Sequence, residues 1–186
     1  MKLYTKTGDD LTTGLMYGRR VGKDHCCIAL LCGIDEIVAQ CGLIRSTIKD
    51  ESLKDELVYI QELCFRLGTF VATFPEDRSK LDLNRSSIAQ TDVSEIENKI
   101  DRLSATFEMP SAFVHPGANF ESALCDSTRV IVRKVEYQAA ICCTQEWISK
   151  DDHLIVWLNR LSDYFYALAR SLEPDQKLRE MPVEQT

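Results

Sequence analysis

The sequence predicts an all-α fold: five helices in an up-and-down bundle, preceded by an ordered Gly/Thr-rich loop. Three observations predict it. Apolar residues recur every three or four positions in five separate windows, which is the period of one helical face. Residues 1–74 and 117–173 contain no proline, and residues 118–173 contain no glycine, so strong helix punctuation is missing where the pattern is clearest. No stretch shows the apolar–polar alternation of a half-buried strand. The chain has 186 residues, 45% of them apolar, a length and composition that suit a single domain.

Residues 1–23 carry no helical period and read as a loop. Over residues 25–49, Leu30, Ile34, Ile37, Cys41, Ile44 and Ile48 form a seam suited to bundle packing. Over 52–73 the seam continues through Leu53, Leu57, Ile60, Leu63, Leu67 and Val71. Residues 75–91 are polar and form the longest expected surface loop. Residues 94–107 predict a third helix with Ile96, Ile100, Leu103 and Phe107 inward. A second loop covers 110–119. Residues 120–147 predict a fourth helix with Leu124, Ile131 and Val135 marking its core. Residues 151–172 predict a fifth, with Asp151 or Asp152 as N-cap and Leu154, Leu158, Leu161, Phe165, Leu168 and Leu172 in strict 4-3 alternation. The bundle therefore occupies residues 24–173, and 174–186 form a polar tail.

The formal net charge is −7, which argues against general nucleic-acid binding. The longest apolar run, Cys26 to Cys32, falls far short of a bilayer span of about 20 residues, and the first residues lack the apolar block of a signal peptide. A cytoplasmic protein with no membrane partner is expected. The eight cysteines include no CxxC pair, so packing thiols are expected rather than a zinc or redox site. The charge is uneven. Residues 1–23 carry a net +3 and four of the eight glycines, and the remainder carries −10.

Polar residues interrupt the helical patterns at specific places. Asp35 falls on the line of Ile28, Leu31 and Val38. A carboxylate buried there needs a cationic partner, a guanidinium above all; the alternative is an Asp facing solvent at the core's edge. Arg129, Arg133 and Glu136 share a helical face that Asp126 extends by a turn. Two arginines one turn apart can grip a polyphosphate, although a solvated surface face has the same spacing. Asn159, Ser162, Asp163 and Tyr166 line a polar face on the last helix, open equally to helix–helix hydrogen bonding. The segment Tyr4-Thr5-Lys6-Thr7-Gly8-Asp9 and its continuation to Gly14 is neither a Walker A nor a GxGxxG motif. Its glycines, threonines and Lys6, Arg19, Arg20 and Lys23 are nonetheless the chemistry of an anion cradle.

Taken in order, these segments resemble the PduO-type ATP:cob(I)alamin adenosyltransferases. The motifs are residues 4–9; Gly18-Arg19-Arg20-Val21 with Lys23; Gly33-Ile34-Asp35-Glu36; Phe113 leading into Pro116-Gly117; Arg129 with Arg133-Lys134-Val135-Glu136; and Leu158-Asn159-Arg160-Leu161-Ser162-Asp163. The resemblance covers residues 4 to about 170. It implies a homotrimer with ATP between neighbouring subunits, and attack of cobalt(I) on the 5′-carbon of ATP with release of triphosphate. By motif position it implies that Thr5, Lys6, Thr7, Gly8, Thr13, Gly14 and Lys23 wrap ATP. Arg133, Lys134, Glu136 and Asn159 complete that site, with Mg2+ carried on the phosphates and no protein metal cluster. Asp35 pairs with Arg129 in support of the interface and the nucleotide site, and Phe113 presses on the corrinoid's lower face. A reductase and a cobalamin-dependent acceptor enzyme are the further partners implied.

The chain departs from the family pattern at Leu11, where Gly is usual, at His115 and Ala118 in the Pro-Gly-Gly loop, at Asp126, where His is common, and at Lys134 and Tyr137 in place of Arg. Asp126 is expected to weaken anion binding beside Arg129. These departures keep open an alternative: a diverged member that binds ATP or adenosylcobalamin with weak or no turnover.

Overall fold

A computed structural model of the chain describes residue 4 and residues 6–173; Thr5 and the expected tail at 174–186 lie outside the described residues. The chain opens with a small antiparallel hairpin, β1 (Thr12–Gly14) and β2 (Arg20–Gly22), paired Thr12 with Gly22 and Gly14 with Arg20. The expected loop is thus partly a sheet. Strands of three residues are too short to show alternation. Then follow α1 (Cys26–Thr47), α2 (Glu51–Val71), a 3-10 turn at Pro75–Lys80, the short α3 (Leu83–Ser86), α4 (Gln90–Ser104), α5 (Phe120–Thr144) and α6 (Leu154–Ser171). The five long helices are those the periodicity predicts.

Their spatial order is α2, α1, α5, α6, α4, since α5 packs on both α1 and α6, α1 also on α2, and α4 on α6. The α1 and α2 seams are buried throughout, each Leu or Ile contributing about 1.5–3 kcal/mol by burial. By length and composition α1 is also apolar enough to cross a membrane, yet its seam is buried against α2 and α5, as in a core helix. α1 and α5 run antiparallel, with Gly33 against Val135 and Glu36 against Lys134. Gly33 is what lets them close: a Cβ there would stand 2.6 Å from Val135 Cγ2 and from Gln138 Oε1. Polar contacts draw α2 and α4 together, with Arg66 3.1 Å from Asp92 and Arg102 bonded to Glu56.

Three boundaries differ from expectation. α4 starts at Gln90, four residues early, because the Asp92 carboxylate turns back to accept the Ala89 N–H at 2.8 Å. α5 ends at Thr144. Its buried seam is Cys125, Thr128, Val132, Val135, Ala139 and Cys142, while Leu124 and Ile131 are only half-buried. A helix wedged between two others needs small residues there, and small residues weaken the apolar signal. Neither Asp151 nor Asp152 caps α6. His153 occupies the N-cap, and Asp152 accepts the Ser149 N–H instead.

Candidate active site

Of the candidate nucleotide-wrapping residues, Lys6, Thr7 and Gly8 precede the hairpin, Lys23 follows it, and Thr13 and Gly14 lie within it. Arg20 organises it from within, donating to the Thr7 carbonyl and the Thr12 hydroxyl. Asp10 accepts both the Thr12 N–H (3.1 Å) and its hydroxyl (2.8 Å), and those bonds hold its carboxyl below the usual carboxylate range. The Lys23 backbone N–H donates to the Leu11 carbonyl at 2.9 Å. The Lys23 side chain folds over Gly8, its Nζ 3.4 Å from where a Cβ on that residue would lie. Lys6, Gly14 and Lys23 face solvent, and Thr13 is half-buried. Leu11 stands at φ +63° and is 76% exposed. That backbone region favours Gly, so the departure from Gly costs about 1–2 kcal/mol of local strain.

A second cluster forms on α5 and α6. Asn159 Nδ2 donates to Glu136 Oε1 at 3.1 Å. Arg160 donates to Asn159 Oδ1 at 2.7 Å and, through Nε, to Glu97 at 3.0 Å, which fixes the way the Asn159 amide points. Arg133 is exposed and has no ion-pair or hydrogen-bond partner among the described residues. Lys134 lies 3.3 Å from Glu36. This face offers a free guanidinium beside an oriented amide and carboxylate, the donor set that grips phosphate and ribose oxygens.

The structure does not join Asp35 to Arg129 within one chain. Asp35 is exposed, because the line of Ile28, Leu31 and Val38 is a half-buried shoulder of α1 rather than its core seam. Arg129 instead leans toward Asp126, Nε to Oδ1 3.7 Å. Asp126 is 4% exposed and sits in a buried ion cluster that sequence reasoning missed. Arg170, with its side chain 1% exposed, reaches Asp126 at 2.5 Å and Glu173 at 2.9 Å, and stacks over Tyr166. Burial raises the Glu173 carboxyl, with Arg170 pulling against it. The Asp126 carboxylate is thus shared between Arg170 and the more distant Arg129. The signal available in the sequence was Arg170 itself, a cation at the end of the leucine seam.

Phe113 stands 84% exposed on the 105–119 loop. The same loop contributes Pro116 and Gly117 to a shallow pocket of about 300 Å³ completed by Ala123, Asp126, Ser127, Arg129 and Val130. An exposed aromatic and an apolar hollow served by the same loop suit a flat, bulky ligand. Among the described residues no three His, Cys, Asp or Glu side chains converge as a metal site. The described cysteines are all free thiols; burial pushes Cys27 and Cys41 up to about 12, which keeps them unreactive.

These features define a class: a helical bundle with a small N-terminal hairpin, an exposed arginine beside an oriented amide and carboxylate, and a separate shallow apolar hollow. The chain belongs to the cobalamin adenosyltransferase family, whose model matches residues 3–172. It is 30% identical over 169 residues to a corrinoid adenosyltransferase of Citrobacter freundii, covering 91% of this chain and 93% of the relative. It is 31% identical over 190 residues to that of Bacillus subtilis, covering 100% and 94%. A variant PduO-type ATP:corrinoid adenosyltransferase of Lactobacillus reuteri, solved with cobalamin and ATP, superposes with a TM-score of 0.86 at 27% identity, over 99% of this chain and 100% of that one.

Proposed function

We propose that this chain transfers the 5′-deoxyadenosyl group of ATP to the cobalt of a reduced corrinoid, giving adenosylcobalamin and triphosphate. The observation that carries this is the α5–α6 face, where unpartnered Arg133 stands beside the Asn159–Glu136 pair at 3.1 Å. Cobalt is the nucleophile, so the protein needs no proton-abstracting dyad. Its work is to hold two substrates in line and to stabilise the charge that grows on the departing triphosphate. Arg133 and Lys134 meet the phosphates, Glu136 and Asn159 meet the nucleoside, and Thr5, Lys6, Thr7, Gly8, Thr13, Gly14 and Lys23 wrap the remainder. Magnesium bound with the triphosphate would neutralise part of its charge beside Arg133 and Lys134. Phe113 and the neighbouring hollow take the corrinoid's lower face and keep water from cobalt.

The working form we propose is a cytoplasmic homotrimer with ATP between subunits. That arrangement gives Asp35 of one copy and Arg129 of the next a place to meet, and it covers the exposed Phe120, Val130 and Tyr137 of α5. A reductase supplies the cobalt electrons, and a cobalamin-dependent enzyme takes the product. The test is anaerobic adenosylation of chemically reduced cobalamin with ATP, followed by the absorbance of adenosylcobalamin. Product should appear with wild type and fall at least tenfold with Arg133→Ala, the loss of one charge-assisted phosphate contact. ATP binding without product would instead favour the diverged, binding-only member.

A further inference from the structure

The hairpin has little to keep it in place. A two-stranded sheet is marginal in water by itself, and this one has three residues per strand. Only Leu15 and Val21 pack partly against the core. What ties it to the bundle is a set of contacts with the end of α2 and the 3-10 turn that follows. The Met16 N–H donates to the Ala72 carbonyl at 3.0 Å. Arg19 lies over the Phe74 ring, 5.1 Å from its centroid, and its Nε reaches Asp77 Oδ2 at 2.9 Å. Lys80 Nζ holds the other Asp77 oxygen at 2.7 Å and covers the Tyr17 ring. Tyr17 donates its hydroxyl proton to the Lys80 carbonyl at 3.3 Å.

Asp77 is the hub. Its side chain is 9% exposed although it lies on a polar surface segment, and both of its oxygens are engaged. Arg19 is half exposed and sits beside Tyr17 and Gly18, both at positive φ, so the connection between the strands is a tight turn aimed at this carboxylate. Asp77 is not among the residues assigned above to ATP or corrinoid, whereas Arg19 belongs to the basic set of the loop itself. The carboxylate sits between two cations outside the buried seams of the helices, touching the core only through Arg19 on Phe74.

We propose that Asp77 is a positioning residue for ATP: through Arg19 it clamps the hairpin against the bundle and so keeps the nucleotide-wrapping loop in its binding-competent placement. The inference rests on the reading of residues 4–23 as the nucleotide-wrapping loop. Removing the clamp lowers the population of the competent placement, and apparent affinity falls by the same factor.

The experiment is calorimetric titration of ATP into the full-length protein, with adenosylation kinetics in parallel. Asp77→Asn should weaken ATP binding by roughly three- to tenfold and raise KM for ATP equally. At saturating ATP it should leave kcat and the corrinoid KM within about twofold. Asp77→Glu should restore most of the affinity. Arg19→Gln should reproduce the loss, and the double variant Arg19→Gln/Asp77→Asn should lose no more than either single. Unchanged ATP affinity in Asp77→Asn, even with a lowered Tm, would overturn the proposal by leaving Asp77 a purely structural role. If Asp77→Asn does not fold, Lys80→Gln, which removes the other cation holding Asp77 and lies outside the loop, decides by the same criterion. Absence of ATP binding by the wild type is a different result, and it would overturn the reading of the loop itself.

Discussion

At the scale of single residues, two departures from the family pattern have physical consequences of opposite kind. Leu11 holds a left-handed backbone that only Gly adopts without strain. Leu11→Gly should relieve about 1–2 kcal/mol of strain and cost about 0.5–1 kcal/mol in lost chain freedom. The net, between about 0 and 1.5 kcal/mol, is a gain in hairpin stability, since Leu11 already holds this backbone in the folded chain; thermal melting reads it, and a lowered Tm would contradict the strain. Asp126 is the reverse case. It looked like a misplaced charge, and it is half of a buried pair. Asp126→Asn leaves the Arg170 guanidinium short of a counter-charge, with Glu173 the remaining carboxylate, and should cost ~3 kcal/mol. For a domain of this size that lowers Tm by roughly 6–12 °C, and a thermal melt within a degree of wild type would refute it.

At the scale of elements, helix identity was legible and helix edges were not. The seams of α1, α2 and α6 could be read because Leu and Ile stand at nearly every inward position. The α5 seam could not, because a helix squeezed between two neighbours spends Cys, Thr and Ala there. The start of α4 turned on one side chain, Asp92, reaching back to Ala89. The site divides in the same way. Arg133, Glu136 and Asn159 could be placed from helical spacing, and the Asn159–Glu136 contact shows that the two faces meet. Asp77 and Arg170 each have a partner three residues on, Lys80 and Glu173, but the contacts that give them meaning, to Arg19 and Asp126, lie 58 and 44 residues away in sequence. The α1–α5 contact carries its own prediction. Gly33→Ala gains about 1 kcal/mol of helix propensity, but it drives a methyl group into Val135 and Gln138, at a typical overpacking cost of about 1–3 kcal/mol. Chemical denaturation should show a net loss, and a variant more stable than wild type would mean that the helices separate freely.

At the scale of the whole molecule, bundle and hairpin answer differently to pH. The Lys80 and Arg19 bonds hold the Asp77 carboxyl below its ordinary value, and bonds from Thr12 do the same for Asp10. A carboxyl with a lowered folded-state pKa binds fewer protons than it does unfolded. It therefore supports its surroundings fully above about pH 5 and loses that support as pH falls through its folded value. Both groups sit in the hairpin or under it. Acidification below about pH 5 should therefore weaken the amide signals of Thr12–Val21 before far-ultraviolet dichroism reports loss of helix, and simultaneous loss of both would rule out separate responses. The attachment of that hairpin has a further meaning for how such an enzyme changes over generations. A binding loop fastened by a few polar contacts, rather than woven into a core, can accumulate substitutions such as Leu11 without endangering the fold that carries it.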